Sequence, residues 1–523
     1  MNRIILFLSL IAGSNLFAQS YAKDWHLQYS AKDTNYGIGL TEALKNHKAP
    51  ANAEKVIVAV IDDGIDVEHP DLKENIWINE AEINGNAVDD DHNGYIDDYN
   101  GWDYLGSAGQ DIQYDNLEIT RLLRNYQKRF DGNTLKLSKT DKADYKKYKA
   151  LQKEYDKAYL DAQNQLKQMQ FYQKLCTTLI KELDSSNISI EDLIKHEPRS
   201  VESKLSKAFV LEVCQSANLS PQELFDGIRE DYEHLYQRVN YHYNLKYDPR
   251  KNIGDNYEDV TTLGYGNNEV KGPDAMHGTH VAGIIAALRN NDLGMDGICP
   301  LVQVMVLRTV PNGDERDKDV AHAIRYAADN GARVINMSFG KSYSYNAQVV
   351  KDAILYAESK DVLMIHAAGN DAENTDKTDR FPSSVYFKDS FCKTWIEVGA
   401  SDRDQQPASF SNYGKKTVDV FAPGVQIYST IANKQYKALD GTSMASPVVA
   451  GLAALIRAYY PNLTAIQVKQ VIETSVVKPE QKVKKPGYKK KKTKYKKLCR
   501  TAGIVNVEGA LKAAKALSDS LAK

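Results

Sequence analysis

Short apolar runs alternate with longer amphipathic stretches along most of this chain. Lys55–Ile61 is rich in Val and Ile, which predicts a strand covered on both faces. Similar runs in the second half of the chain are separated by helical stretches of about 10 to 15 residues, typical of parallel strands joined by crossovers. We therefore expect an α/β fold, a three-layer sandwich around a mostly parallel sheet. The later predicted strands are Val302–Val310, Arg333–Met337, Val362–Ala367, Trp395–Ala400 and Thr417–Phe421, and the predicted helices are His277–Arg289, Asp319–Asn330, Ala347–Lys360 and Glu508–Leu517.

One further predicted helix lies within Asp440–Tyr459. No side chain from Val448 to Ile456 is polar, so this helix is stable only if it is buried on nearly all sides. Ser443 lies at its start, where free backbone N–H groups and the positive end of the helix dipole stabilise a developing oxyanion. Pro447 fits, because a missing N–H is tolerated near a helix start. Taken alone, Ser443 would be interpreted as a helix N-cap.

The segment 111–247 has a different pattern, with helical periodicity on a Lys- and Glu-rich background. Ser220-Pro221-Gln222-Glu223 is a capping box that opens a helix predicted to run through Tyr241. We interpret the segment as a mostly α-helical insertion into an α/β domain formed by residues 55–110 and 248–517. Four tyrosines recur at helical spacing, and we expect them to pack internally rather than form a partner-binding face: Tyr145, Tyr148, Tyr155 and Tyr159.

The first residues resemble a secretory signal. Arg3 precedes the apolar run Ile4–Ile11, and Ala18 is a small residue suited to cleavage. Residues 1–18 are therefore predicted to be a signal peptide, residues 19–54 an N-terminal arm, and the protein to be exported to the periplasm or beyond the cell. No later run approaches the roughly 20 apolar residues of a transmembrane helix.

Composition changes this picture little. The 523 residues allow two to four domains, or one large domain with insertions, and the five cysteines are odd in number and show no metal-ligand spacing. Although the net charge of the whole chain is only −2, the segment 478–497 alone contains eleven lysines. Such a run is typical of a solvated loop, and we expect no nucleic-acid partner. The sequence does not indicate an oligomeric state.

An acidic stretch at residues 79–103 contains a possible metal loop. Its pattern, Asp-x-Asp-x-Asn-Gly-x-Ile-Asp, resembles the first nine positions of an EF-hand-type calcium loop. The twelfth position is Asn100 rather than Glu, which removes the bidentate ligand, and a solvated acidic turn is the alternative. A structural Ca²⁺ would be bound by the side chains of Asp89, Asp91, Asn93 and Asp97 and by the carbonyl of Tyr95.

Four polar residues each lie in a short and specific sequence motif. Asp62 ends the first predicted strand in Asp62-Asp63-Gly64, and His277 opens His-Gly-Thr-His-Val-Ala-Gly. Asn370 ends Ala-Ala-Gly-Asn, and Ser443 lies in Gly-Thr-Ser-Met-Ala-Ser-Pro. Together these frames resemble the subtilisin-like serine proteases, in which Asp, His and Ser occur in this order with an Asn before the Ser. The resemblance covers about 55–103 and 272–517.

The resemblance implies a serine endopeptidase acting on proteins or peptides, with no cofactor required for the chemistry. Ser443 would be the nucleophile, His277 its general base and Asp62 the carboxylate that orients the imidazole. Asn370 would stabilise the oxyanion together with the Ser443 N–H. The segment Ser338-Phe339-Gly340 resembles the substrate-pairing strand of the family. His280 is the alternative base, but it lies within the predicted helix and corresponds to scaffold in the family.

Two features depart from the family pattern. Asp63 follows the catalytic Asp, where Thr or Ser is usual. Kexin-like relatives share the Asp-Asp-Gly form, and in them the second carboxylate faces the substrate residue just before the cleaved one and favours Lys or Arg there. The resemblance implies the same role for Asp63. The alternative is that Asp63 is a simple surface carboxylate. In addition, the 36 residues between Gln19 and Lys55 are too few for the separate propeptide domain with which many secreted relatives inhibit themselves. Either the helical insertion takes over this restraining role, or the enzyme needs no restraint.

Two rival functions stay open at this point. An inactive scaffold could bind peptides or proteins through the insertion and the lysine-rich segment. The same active site could also support esterase or peptide-ligase chemistry, because an acyl-enzyme does not determine its acceptor. The complete set of Asp, His, Ser and Asn favours the protease.

Overall fold

The computed structural model describes residues 21–30, 35–107, 109–131, 138–185, 187–387 and 390–523. The predicted signal peptide, residues 1–18, lies outside this part of the chain. The chain forms two compact units, an α/β unit of residues 21–118 and 249–523 and a helical unit of residues 119–248. Among the described residues, none of the helices combines the length and apolar character needed to cross a bilayer.

A seven-stranded sheet forms the centre of the α/β unit, and every neighbouring pair of its strands is parallel. The spatial order is β7-β6-β5-β4-β1-β3-β2. In chain order the strands are β1 (Val56–Asp62), β2 (Gly101–Asp103), β3 (Val302–Arg308), β4 (Val334–Met337), β5 (Leu363–Ala367), β6 (Trp395–Ser401) and β7 (Val420–Pro423). Six of these strands were predicted within a few residues; the short edge strand β2 was missed.

Helices cover both faces of the sheet. Alternate residues of β1 enter two separate cores: Val58 and Val60 face one, Ala59 and Ile61 the other. This confirms the predicted three-layer α/β fold. The helices of the α/β unit are α1 (Leu40–Asn46), α2 (Met276–Ala286), α3 (Asp317–Asp329), α4 (Ala347–Ser359), α5 (Thr442–Tyr459), α6 (Ala465–Thr474) and α7 (Val507–Leu521).

Helix α5 is the predicted apolar helix, and its side chains from Val448 to Ile456 are fully buried. Its burial explains the sequence, since a helix with no polar face cannot lie at the surface. Pro447 is accommodated in its second turn. The start of α5, with Ser443, therefore has a fixed position relative to the sheet.

The helical unit confirms the predicted character of the insertion. Its helices are Glu118–Phe130, Lys139–Leu183, Ile190–Lys195, Val201–Ala217 and Pro221–Gln237, the last continued by a π-helical turn at Arg238–His242. Ser220 and Glu223 form the predicted capping box. Two of the four tyrosines, Tyr148 and Tyr155, are buried against Phe130 and Tyr243, so the tyrosine stripe packs internally.

The lysine-rich segment exposes nearly all of its lysines, as predicted for a solvated loop, but it also contains short ordered elements that were not predicted. It contains a two-stranded antiparallel hairpin, Val483–Lys484 with Lys492–Thr493, followed by a 3₁₀ turn at Tyr495–Lys497. The segment is ordered because Val483 and Tyr495 are buried in a small apolar cluster with Phe421 and Leu498. Charge composition alone did not show these apolar anchors.

The remaining elements are short. Further antiparallel hairpins are Tyr29–Ser30 with Asn35–Tyr36, Gly106–Ser107 with Gln110–Asp111, Val385–Phe387 with Ser390–Phe391, and Ile427–Ile431 with Gln435–Leu439. The other 3₁₀ turns in the described part of the chain are Trp25–Leu27, Lys73–Asn75 and Pro249–Ile253. In the N-terminal arm, Trp25 is buried and donates from Nε1 to the carbonyl of Gln426 at 3.1 Å. All five cysteines are buried, and no disulfide bond joins any two of them.

Candidate active site

The carboxyl end of β1 and the start of α2 meet closely. Asp62 is the last residue of β1, and Gly64 continues the turn with a φ of +116°, a conformation that suits glycine. Gly278, in the first turn of α2, approaches so near that a Cβ there would lie 2.2 Å from the Gly64 carbonyl oxygen. This approach carries His277 to the side chain of Asp62.

His277 and Asp62 form a direct contact. Nδ1 of His277 lies 2.7 Å from Oδ1 of Asp62, with the carboxylate buried and the imidazole about one third exposed. Burial by itself lowers the pKa of His277, but the Asp62 carboxylate, with smaller contributions from Asp63 and Asp274, raises it to about 9. The contact at Nδ1 leaves Nε2 as the proton-exchanging nitrogen.

Ser443 contacts the residue at the end of a neighbouring strand. Its Oγ donates to the carbonyl of Ser338 at 3.0 Å, and Ser338 Oγ donates to the carbonyl of Ser443 at 2.9 Å. Ile61 of β1 and Met337 of β4 are paired in register, so Asp62 and Ser338 leave the sheet at the same edge. In this arrangement the Ser443 hydroxyl forms no hydrogen bond with His277.

Asn370 lies just after β5 and is oriented by the start of α5. Its Oδ1 accepts hydrogen bonds from the backbone N–H and the hydroxyl of Thr442, each at 2.9 Å. These contacts fix the orientation of the amide, so Nδ2 is available as a donor. Within the described chain, neither this Nδ2 nor the N–H of Ser443 has a hydrogen-bond acceptor. Two free donors of this kind suit a developing oxyanion.

Comparison with known proteins identifies the family of the chain. The sequence model of the subtilase family matches residues 53–503. The chain belongs to the subtilase family. Similar proteins include a thermophilic serine proteinase of Bacillus sp. (strain AK1), 43% identical over 39% of this chain and 47% of that protein. Subtilisin DY of Bacillus licheniformis is 39% identical over 38% of this chain and 69% of that protein, and thermitase of Thermoactinomyces vulgaris is 38% identical over 39% and 67%.

The family assignment classes this subtilase as a serine-type endopeptidase. The chain spans about half the length of the first of these relatives and about two thirds of the other two. Similar solved structures include a protease from Pseudoalteromonas arctica PAMC 21717, with a TM-score of 0.40 and 27% identity over 50% of this chain and 81% of that one.

Sequence reasoning missed several residues that support the site of this subtilase. Thr442 ties Asn370 to α5 and also accepts from the N–H of Gly369 at 3.1 Å. Ser446 Oγ donates to Asn336 Oδ1 at 2.7 Å, and Asn336 Nδ2 donates to Ser338 Oγ at 3.0 Å. This buried chain of hydrogen bonds links α5 to β4. The polar residues within otherwise apolar elements, Asn336 and Ser446, were the available signal.

Asp63 contacts the start of α2. One carboxylate oxygen accepts from the N–H of His277 at 3.2 Å and the other from the N–H of Gly278 at 2.6 Å. Burial and the adjacent Asp62 raise the pKa of Asp63 well above its usual value. Asp63 is therefore more than a surface carboxylate, because it caps the helix that carries the imidazole. Its predicted contact with a basic substrate residue stays a prediction.

The other predicted residues separate into two groups. Ser338 is buried and Gly340 is exposed, so the segment 338–340 runs from the sheet edge to solvent. Phe339 is half-buried next to the ring of His366. His280 is buried, its Nε2 lies 3.0 Å from the Lys437 carbonyl, and burial lowers its pKa to about 3. His280 thus has a structural environment rather than that of a base.

Several of the predicted EF-hand ligands accept backbone N–H groups. Asp97 accepts from the N–H groups of Gly85, Asn86 and Ala87, and Asp89 accepts from those of Asn93 and Gly94. The N–H of Tyr95 donates to Asn93 Oδ1 at 2.8 Å. Of the predicted ligands, only Asp91 lies in a cluster of carboxylates, and there its neighbours are Glu82 and Asp98. The sequence pattern did not identify these two residues.

Proposed function

We propose that this subtilase hydrolyses peptide bonds with Ser443 as nucleophile, His277 as general base and Asp62 as the carboxylate that orients it. The contact between His277 Nδ1 and Asp62 Oδ1 at 2.7 Å carries this proposal. It requires the proton of His277 to be on Nδ1 in the neutral ring, which leaves the Nε2 lone pair to accept the serine proton. Asp62 then stabilises the imidazolium that forms.

The reaction begins with rotation of the Ser443 hydroxyl. In the structure this hydroxyl donates to the Ser338 carbonyl. Substrate binding along 338–340 would compete for that carbonyl, and the freed Oγ–H would turn to His277 Nε2. Oγ then bonds to the peptide carbonyl carbon as the proton moves to Nε2. The imidazolium returns the proton to the leaving amine, and water hydrolyses the acyl-enzyme by the same route.

Asn370 and the backbone of Ser443 would stabilise the charge on the substrate oxygen. Thr442 holds the Asn370 amide with Nδ2 free, and the Ser443 N–H is at the start of α5. Both donors are fixed before the reaction, which lowers the reorganisation needed as the oxyanion forms. No step needs a cofactor, because the serine, imidazole and amide supply the nucleophile, the proton transfers and the charge stabilisation.

The substrates would be proteins or peptides that extend along Ser338, Phe339 and Gly340, the segment that leads from the buried strand β4 to solvent, and pair with it as an added strand. A preference for Lys or Arg before the cleaved residue, through Asp63, belongs to the same proposal. The charged and apolar segment at residues 3–18 supports export of the enzyme to the periplasm or the medium. Calcium binding by the Asp89–Asp97 pattern stays a prediction.

Active-site labelling tests the proposal. A fluorophosphonate probe should label the purified protein at Ser443, and Ser443→Ala should abolish both labelling and casein hydrolysis. Ser409→Ala is the matched control, because Ser409 is exposed and away from the site residues described above. Equal hydrolysis of casein by the parent protein and Ser443→Ala would show that another group performs the reaction.

A further inference from the structure

The lysine-rich segment, residues 478–497, carries positive charge that the described chain does not neutralise. It contains eleven lysines and one carboxylate, Glu480. Ten of the eleven lysines are exposed, and the other, Lys485, is half-buried. In the part of the chain that the structure describes, none of these lysines forms an ion pair with an Asp or Glu side chain. Exposed Lys512, in contrast, pairs with Glu508 at 2.9 Å.

The hairpin of this segment holds like charges close together. Lys484 on one strand lies directly opposite Lys492 on the other. Like charges at directly opposed positions destabilise an antiparallel pair. The hairpin is nevertheless anchored, because Val483 and Tyr495 are buried and the hydroxyl of Tyr495 donates to the carbonyl of Gln405 at 3.0 Å. An unanchored tail would let the lysines separate, so the anchors keep the charge concentrated in one place.

An exposed aromatic ring organises the turn of the hairpin. Tyr488 is 49% exposed, and the Nζ atoms of Lys485 and Lys491 each lie 4.9 Å from the centroid of its ring. Nζ of Lys485 also lies 4.7 Å from the ring centroid of Tyr413. These cation–π contacts hold the two ammonium groups in place but leave their charge, since a tyrosine ring has no net charge. The turn therefore presents positioned cations beside an aromatic surface.

The same turn contacts the loop that carries Asn370. A Cβ built on Gly487 would lie 3.2 Å from the Cβ of Ala372 and 3.4 Å from its carbonyl oxygen. Ala372 is two residues after Asn370. Because consecutive Cα atoms are about 3.8 Å apart, the Cα atoms of these two residues are separated by no more than about 7.6 Å. A polypeptide held at Asn370 is therefore within reach of the turn.

The acidic residues of this loop have partners outside the lysine-rich segment. Asp371 and Glu373 pair with Arg380 at 2.9 and 2.8 Å. Asp376 accepts hydrogen bonds from three backbone N–H groups at 2.8 to 3.1 Å. These carboxylates lie near the turn, yet they are held by the arginine and by the main chain. The charge of the lysine-rich segment is therefore available to a ligand from outside the chain.

We propose that the lysine-rich segment is an exosite, a substrate-binding surface outside the active site, that binds an Asp- and Glu-rich stretch of a protein substrate. The proposal rests on the proposed function for the position of the cleft and adds the class of substrate. A polypeptide is the occupant because the turn at Gly487 adjoins the loop of Asn370, where a polypeptide would be cleaved. Each exposed ion pair contributes little, so several lysines act together. Their combined field also speeds the encounter with an acidic chain.

Pairs of peptides test the exosite. Both members share the sequence around the cleaved bond, and one carries a short run of Asp and Glu where the other carries Ser and Gly, before the bond in one pair and after it in a second. In one of the two pairs, kcat/KM of the full chain should be about tenfold higher for the acidic peptide at low salt. The preference should vanish in about 1 M NaCl, which screens exposed charges.

A triple variant locates the effect. Lys489→Gln, Lys490→Gln and Lys492→Gln together should remove most of the preference for the acidic peptide. The Tm should not fall, because the variant relieves the repulsion between Lys484 and Lys492. The matched control combines the same substitution at three exposed lysines outside the segment and should keep the preference: Lys48→Gln, Lys55→Gln and Lys73→Gln.

Three results would overturn the proposal. They are equal rates for the two members of both peptide pairs, an unchanged preference in the triple variant of the segment, and an equal loss of preference in the control. Binding to phosphatidylglycerol vesicles or to duplex DNA without any preference for the acidic peptide would assign the segment to a membrane or a nucleic acid instead.

A binding measurement separates this proposal from the proposed function. The Ser443→Ala protein should bind a fluorescent form of the acidic peptide more tightly than the neutral one, and fluorescence anisotropy measures this without cleavage. If the parent protein neither reacts with the fluorophosphonate probe nor hydrolyses casein, the proposed function fails, but the difference in binding still tests the exosite. Equal binding of the two peptides by a protein that does hydrolyse casein would refute the exosite alone.

Discussion

Asp63 accepts a hydrogen bond from the backbone N–H of His277, the residue whose ring contacts the preceding carboxylate, Asp62. Two consecutive residues at the end of β1 thus hold the same histidine, one through its main chain and one through its side chain. The main-chain contact sets the position of α2, and the side-chain contact sets the imidazole. A small displacement of Asp63 would therefore move the backbone of His277, and with it the general base, although Asp63 does not contact the imidazole ring.

Substitution of Asp63 tests this coupling. Asp63→Ala removes the acceptor for His277 N–H and Gly278 N–H, and loss of a helix cap typically costs about 1 kcal/mol in the free energy of unfolding. We expect kcat to fall as well. Asp63→Asn keeps one of the two acceptor oxygens and should restore part of the stability, as measured by thermal unfolding.

The same pair of variants tests the predicted substrate contact. If Asp63 also faces a basic substrate residue, both variants should lose the preference for Lys or Arg before the cleaved bond in a peptide library. A preference that survives in Asp63→Asn would show that Asp63 only positions His277.

The pH dependence of kcat/KM should report the environment of His277. The pKa of His277 is raised to about 9, so the imidazole is mostly protonated at neutral pH and unable to accept the serine proton. The rate should rise about 50-fold between pH 7 and pH 9, as expected for a base of this pKa. A chromogenic peptide assay from pH 5 to 11 measures this; a plateau reached by pH 7.5 would contradict it.

The linked effect on stability has a definite sign. A pKa raised above the unfolded value of about 6.5 favours the protonated folded state. The stabilisation from the His277 and Asp62 contact should therefore be complete below about pH 6.5 and should be lost as the pH rises through about 9. Unfolding of Ser443→Ala at a series of pH values measures this window without self-digestion.

Removal of the Asn370 amide should affect the transition state more than substrate binding. Asn370→Ala deletes the Nδ2 donor, and we expect kcat to fall about 100 to 1,000-fold with little change in KM. Asn374→Ala, a half-exposed Asn in the same loop, should retain normal rates. Steady-state kinetics on one peptide compare the variants, and an equal decrease for both would assign the effect to the loop instead of the oxyanion.

Gly278→Ala should disrupt the contact between α2 and the end of β1. The new Cβ would lie 2.2 Å from the Gly64 carbonyl oxygen, a backbone atom that cannot move away alone. We expect a lower Tm and a large loss of activity. Gly227→Ala in the helix Pro221–Gln237 is the matched control: no atom lies within 4 Å of its Cβ position, and the change should stabilise by about 0.5 to 1 kcal/mol.

Local sequence patterns were sufficient to predict the fold class and to group Asp62, His277, Asn370 and Ser443 as one candidate active site. β1 and α5 are apolar enough that burial is their only stable state, and strand ends in parallel sheets share one edge. Asp62 ends one such strand and Asn370 follows another, and His277 and Ser443 lie in the first turns of helices that pack on the sheet. Their residue types and order were visible in the sequence because each depends on neighbours within a few positions.

The sequence by itself determined the parallel sheet, the helical insertion and the candidate catalytic residues, since periodicity and short motifs are local properties. Only the tertiary structure decided which groups touch. It turned Asp63 toward the start of α2, oriented Asn370 through Thr442, anchored the lysine-rich hairpin on Val483 and Tyr495, and brought Glu82 to Asp91 and Asp98. These contacts depend on the path of loops and on packing between distant elements, and spacing along the chain does not encode either one.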